Sequence, residues 1–126
     1  MKRIDLVYVT IGVAYLVIGM VFGIVMGIRQ DFQLAPVHAH INLVGFVSHC
    51  AFGLVHRVWP ALRAGAIASV QFWLFVIGTP LFVAGIAISI LGGTIALAVI
   101  GSILVLCGAI VFVVMMLRTG LLPETA

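Results

Sequence analysis

The chain has 126 residues, 65% of them hydrophobic and only 7% charged, with a mean hydropathy of +1.43. Soluble domains carry roughly 25% charged residues, so no water-facing surface can be built from this composition, and disorder is excluded because it needs low hydrophobicity and high charge. The pI of 9.4 reflects six basic against three acidic residues without a basic run, which excludes a nucleic-acid binder and leaves an integral membrane protein in a lipid bilayer.

Met1–Asp5 is a polar start. Leu6–Ile28 has no charge over about 23 residues, enough for one helix across ~30 Å of hydrocarbon. Arg29-Gln30-Asp31 ends it. From Phe32 to Val55 there is no Asp, Glu, Lys or Arg, but there are Pro36 and three histidines, and the stretch closes on His56-Arg57-Val58-Trp59-Pro60. Ala64–Leu117 is uncharged over about 54 residues, the length of two spans, and Leu91-Gly92-Gly93-Thr94 near its middle reads as a tight turn. The expectation is an all-α integral membrane protein with four transmembrane helices, over 6–28, 35–58, 66–90 and 95–117. The first apolar segment is too long for a cleavable signal core, and no small-x-small site follows it. Without repeats or linkers, residues 1–126 form one domain.

Lys and Arg give the orientation. Four spans place both termini and the loop between helices 2 and 3 on one side, with Lys2, Arg3, Arg57, Arg63 and Arg118. The other side holds Arg29, beside Asp31. Both termini are therefore expected in the cytoplasm, with helix 2 starting outside. Cys50 and Cys107 have no CxxC spacing and read as small packing residues.

All four histidines, His38, His40, His49 and His56, fall in helix 2. Polar residues at membrane depth are costly and usually functional. On a regular wheel with His38 at zero, Asn42 falls near about 40°, Gly45 near about 340°, His49 near about 20° and His56 near about 0°, while His40 falls near about 200°. His38 and His40 therefore cannot bind one small ion, for which i, i+4 spacing is needed. They suit two flat, apolar cofactors on opposite sides of the helix, and haem takes a neutral imidazole as axial ligand. His49 reads either as a further iron ligand or as a buried histidine bonded across helices. His56, beside Arg57, reads as interfacial.

The segment from His38 to Pro60, with His38-Ala-His40, the glycine-containing middle and Trp59-Pro60, resembles the tenth helix of haem–copper oxidase subunit I. The resemblance covers about 23 of 126 residues. It implies His38 as ligand of a high-spin haem and His40 as ligand of a low-spin haem. Ala39-His40 is also similar to the family's second helix, where a single histidine provides the other low-spin ligand. The segment is similar, less closely, to the H-A-H stretch of multi-span nitric-oxide-response membrane proteins. Helices 1, 3 and 4 contain no histidine, so the family's copper site, and oxygen reduction with it, are not expected. The family's subunit is three four-helix arcs, and this chain looks like one arc. The resemblance thus implies a homo-oligomer, a trimer before a dimer, with haem b between protomers in the bacterial cytoplasmic membrane and a respiratory-chain redox partner.

Outside helix 2, Gly12, Gly19, Gly23 and Gly27 form a smooth strip on helix 1 for a neighbouring helix or a porphyrin face, and Gly101 and Gly108 do similar work on helix 4. Pro80, after Thr79, is expected to kink helix 3. Gln71 and Trp73 read as membrane-interface residues. Arg29, with Gln30 or Gln33, is the expected partner of a haem propionate; local pairing with Asp31 is the alternative. The expected function is a b-type haem protein for electron transfer or diatomic gas binding. The competing readings are a histidine-lined metal or proton carrier and a structural small subunit of a respiratory complex. No acid–base pair, nucleophile or nucleotide loop points to an enzyme.

Overall fold

The computed structural model describes residues 3–120; Lys2, counted above with the basic residues of one face, lies outside them. Among the described residues there are four long helices and no strand: α1 (Ile4–Arg29), α2 (Ala35–Val58), α3 (Ala66–Ile90) and α4 (Ala96–Gly120). Each is long and apolar enough to cross a membrane, and α2, which carries the histidines, is the least apolar. The expected bounds of α2 and α3 coincide with those observed; those of α1 fall two and one residues short at its ends, and those of α4 start one residue early and stop three short. Side chains such as Val17, Ile24, Leu43 and Ile103 are exposed on the outside of the bundle, the surface that a lipid-facing helix requires.

The turns follow from local chemistry. After α3, Gly92 takes a left-handed φ of 90°, Gly92 N–H donates to Ser89 O and Gly93 N–H to Ile88 O. That is a Schellman ending, with glycine where a Cβ would be strained. The Thr94 hydroxyl then accepts the Ala96 N–H at 3.2 Å and caps α4. At the end of α1 the left-handed position is Gln30, with φ 51°. Its side-chain amide donates to Gly27 O at 2.6 Å, offsetting the cost of a left-handed non-glycine residue. A short 3-10 turn, Pro60–Arg63, connects α2 to α3.

Lipid is as apolar as leucine, so close packing rather than hydrophobicity joins such helices. A Cβ on Gly85 would collide with the backbone of Ala98, and one on Gly101 with that of Phe82, so α3 and α4 meet backbone to backbone. The α1 glycines make room for side chains of α2: a Cβ on Gly12 would lie 2.6 Å from Cys50 Sγ, and one on Gly19 2.6 Å from Asn42 Oδ1. Cys50 is therefore a packing residue in the α1–α2 seam, and Cys107 is exposed. Only the Gly27 end of the strip has nothing within 4 Å. Helix α3 continues through Pro80, and the Thr79 hydroxyl donates to Phe75 O at 2.8 Å in the turn before it. The principal core, with Ile4, Tyr8, Leu62, Phe72, Phe75 and Met115, lies at the end of the bundle that carries Asp5.

Candidate functional site

Helix α2 is not regular. Its middle, Ile41–Ser48, is π-helical, beginning directly after His40 and ending directly before His49. Side chains follow the wider i−5 spacing: Ser48 Oγ donates to Leu43 O at 3.0 Å, and His49 Nδ1–H to Val44 O at 3.0 Å. Such segments are rare and frequent at functional sites. The consequence is a buried line at constant spacing of four, Val37, Ile41, Gly45, His49 and Gly53. In a regular helix four such steps would drift by about 160°. The regular wheel placed His38, Asn42, Gly45, His49 and His56 together. The structure instead puts Gly45, His49 and His56 in the buried interior and leaves His38 and Asn42 part-buried beside it.

His38 faces α1. A Cβ on Gly23 would lie 2.8 Å from its Cε1, and the Phe22 ring lies 6.4 Å away. Asn42, one turn on, donates from Nδ2 to His38 O at 2.9 Å and stands 3.4 Å from His38 Nε2. His40 instead meets Phe82 of α3 edge-on at 5.0 Å. Its Nδ1 is 2.7 Å from Pro36 O. A carbonyl only accepts, so Nδ1 carries the proton and Nε2 keeps its lone pair. Pro36 in the first turn of α2 supplies that acceptor, the arrangement that orients ligating imidazoles. The H-x-H rings thus lie against different helices.

At the same end, a cavity of about 170 Å³ is lined by Phe22, Met26, Arg29, Asp31, Gln33 and Leu34, among others. Phe22, which lines it, has its ring 6.4 Å from that of His38. Arg29 and Gln33 share this cavity, whereas the Gln30 side chain is committed to Gly27 O. Among the described residues Arg29 forms no ion pair, and Asp31 Oδ1 accepts the Gln33 N–H at 3.1 Å.

The other end holds a cluster that spacing on one helix cannot reveal. His49 and His56 are fully buried and flank Tyr8 of α1, with ring centroids at 5.7 and 5.8 Å. The Tyr8 hydroxyl donates to Oε1 of Gln71 on α3 at 2.7 Å. Phe52, Phe72, Phe75 and Phe112 enclose the group. His56 and Gln71 are both fully buried between the helices, while Trp73 is exposed. His56 Nδ1–H donates to Phe52 O at 2.8 Å, so its Nε2, like that of His49, is bare. Both Nε2 atoms, Gln71 Nε2 and Asp5 Oδ1 are buried without a hydrogen-bond partner among the described residues. Each such group costs about 1–3 kcal/mol. Asp5 Oδ2 receives Arg57 at 3.2 Å and Arg63 at 3.4 Å, so two of the basic residues used for orientation pair with one buried carboxylate.

No family model, curated protein or solved structure matches the chain. Among the described residues no three His, Cys, Asp or Glu side chains converge on a metal-ion site.

Proposed function

We propose that this chain is a membrane b-type haem protein, with His38 and His40 as axial ligands on opposite sides of α2. The single observation that carries the reading is His40, whose Nδ1–H is committed to Pro36 O and whose Nε2 lone pair remains. A neutral, oriented imidazole is the donor that haem iron takes. His38, held beside Asn42 and Gly23, is the second. Haem would supply a one-electron redox centre or, with one axial position weak, a gas site.

The chain's own residues divide the remaining work. Since the two rings lie against different helices, bis-histidine ligation takes His38 of one protomer and His40 of the next. That requires a homo-oligomer, a trimer on the resemblance to a four-helix arc, with a twofold dimer as the other closed arrangement. Arg29 and Gln33, in one cavity a ring away from His38, would bind a propionate. Asn42 fixes the His38 end of the helix through the His38 carbonyl. With Arg3, Arg57, Arg63 and Arg118 inside, the site lies toward the outer face of a bacterial cytoplasmic membrane. A respiratory-chain redox partner would exchange electrons there.

The absorption spectrum of protein purified from haem-replete cells tests this. A Soret band with sharp reduced α and β bands is expected, with ligation lost in both His38→Ala and His40→Ala. A colourless protein overturns the proposal, as do unchanged low-spin spectra in both variants.

A further inference from the structure

We infer that Tyr8, His49, His56 and Gln71 form a buried, hydrated proton-binding site, with water as the ligand of their unpartnered atoms and entry from the Asp5 end. The donor–acceptor balance of the cluster carries the argument. Both histidines spend Nδ1–H on a main-chain carbonyl, so each presents an acceptor lone pair at Nε2. Gln71 spends Oε1 on the Tyr8 hydroxyl, so it presents N–H donors at Nε2. Two acceptors and one amide donor are thus enclosed together, without a partner among the described residues.

A ligand for this set must donate to imidazole nitrogens and accept from an amide. Water does both, and buried waters take two to four such polar partners. A metal ion does not fit. His49 and His56 are seven residues apart, about 10.5 Å along the axis, and the Gln71 amide would face a cation with its hydrogens. The Tyr8 ring lies between the two imidazoles, and its hydroxyl, whose proton goes to Gln71, still has lone pairs to accept from a water on either side.

Access follows the α1–α2 seam. Asp5 lies one turn before Tyr8 on α1, with Oδ1 buried and unpartnered. A cavity of about 220 Å³, lined by Arg3, Asp5, Leu6, Val9, Gly53 and Arg57, among others, reaches that carboxylate from the surface. Among the described residues, the charged or titratable groups around the imidazoles are Asp5, Tyr8 and Tyr15 from α1, Arg57 from α2 and Arg63 from the following turn. From α3 and α4 come Gln71 and the phenyl rings of Phe75 and Phe112. A proton entering past Asp5 is passed from water to the Nε2 lone pair of His56 or His49, giving an imidazolium. It leaves by the same nitrogen to water.

The test is nitrogen NMR of the purified full-length chain, labelled with ¹⁵N-histidine, in lipid nanodiscs. His49 and His56 are expected as the Nδ1–H tautomer, with Nε2 showing transfer from water protons and reversible protonation on acidification. Tyr8→Phe should slow that water exchange about tenfold while far-ultraviolet dichroism stays unchanged. Gln71→Glu, which keeps the hydrogen-bond acceptor for Tyr8, is the second variant and should alter both histidine shifts. The inference is overturned if neither Nε2 contacts water, if either is the Nε2–H tautomer, or if Tyr8→Phe and Gln71→Glu leave both resonances unmoved. Haem ligation is read at His38 and His40, so failure of that proposal leaves these two resonances as they are.

Discussion

The Tyr8 hydroxyl donates to Gln71 Oε1 at 2.7 Å, across 63 positions of sequence and between helices that are not consecutive. Through this bond α1 and α3 meet inside the bundle, over the two buried imidazoles of α2. Removing one partner leaves the other buried and unpaired, which costs about 1–3 kcal/mol, whereas removing both removes the polar burden as well. Tyr8→Phe and Gln71→Leu should each lower the unfolding midpoint in detergent. The double variant should be more stable than the sum of the two losses, with a coupling of about 0.5–3 kcal/mol. Strict additivity would show that the hydrogen bond contributes nothing.

Asp5 is buried and binds two arginines unequally placed toward solvent. The Arg57 side chain is 72% exposed and that of Arg63 24%. Exposed ion pairs contribute about 0–1 kcal/mol, while a buried charge deprived of its partners is expensive. Arg57→Ala should therefore change stability little, Arg63→Ala more, and the double variant more than their sum, because it strips the carboxylate. Chemical denaturation of the three proteins at low and high salt checks the order, and the Arg57 contribution should be the more strongly screened.

The α3–α4 seam gives the sharpest steric expectation. Gly85 and Gly101 each face the backbone of the partner helix, which cannot turn aside as a side chain can. Gly101→Ala should separate the helices and destabilise the fold by about 1–3 kcal/mol. Gly27→Ala, where nothing lies within 4 Å, should be neutral or slightly stabilising, since alanine is the better helix former. Thermal unfolding of the two variants side by side is the measurement.

Much of this architecture was legible in order and spacing. Charges mark the span ends because a charged side chain at membrane depth is costly, and Gly92-Gly93 marks a turn because only glycine takes a left-handed φ freely. The separation of His38 from His40 was legible too, because the two residues precede the irregular segment. What followed was not. The wheel assumes about 100° per residue, and eight π-helical residues after His40 break that assumption, shifting the register of His49 and His56 relative to His38. Within those eight residues, nothing in Ile-Asn-Leu-Val-Gly-Phe-Val-Ser demands a π-helix by propensity. The Tyr8–Gln71 bond was equally hidden, since polar residues near helix ends read as interfacial until a partner from another helix is placed against them. The pairing of Asp5 with Arg57 and Arg63 could have been suspected: an acidic residue opening α1 comes near a basic residue closing α2, and near another in the turn after it, if those helices are antiparallel neighbours.

The packing of His38 separates the two proposed ligands. A methyl group on Gly23 would stand 2.8 Å from His38 Cε1, and the ring is the part that must yield. His40 faces α3 and would be untouched. Gly23→Ala should thus perturb ligation through His38 alone, weakening one axial bond and adding a high-spin component to the spectrum. The electron paramagnetic resonance of the oxidised protein reads this directly, and a spectrum identical to that of the parent protein would remove His38 from the ligand set.

Arg29 gives the last prediction. Its guanidinium forms no ion pair among the described residues, and it shares a cavity with Gln33 beside Phe22, whose other neighbour is the His38 ring. A propionate there would gain a charge-assisted hydrogen bond worth about 1.5–3 kcal/mol. Arg29→Ala should then lower haem affinity by about tenfold or more, since 1.4 kcal/mol is a factor of ten. Removing a cation from the neighbourhood of a haem held there would also favour the oxidised, more positive state, so the midpoint potential should fall. Arg29→Lys keeps the charge and loses the bidentate fork, so it should restore the potential better than the affinity. Haem titration and redox potentiometry on the three proteins resolve the two effects. If Arg29→Ala leaves haem content and potential unchanged, Arg29 serves topology and the propionate lies elsewhere.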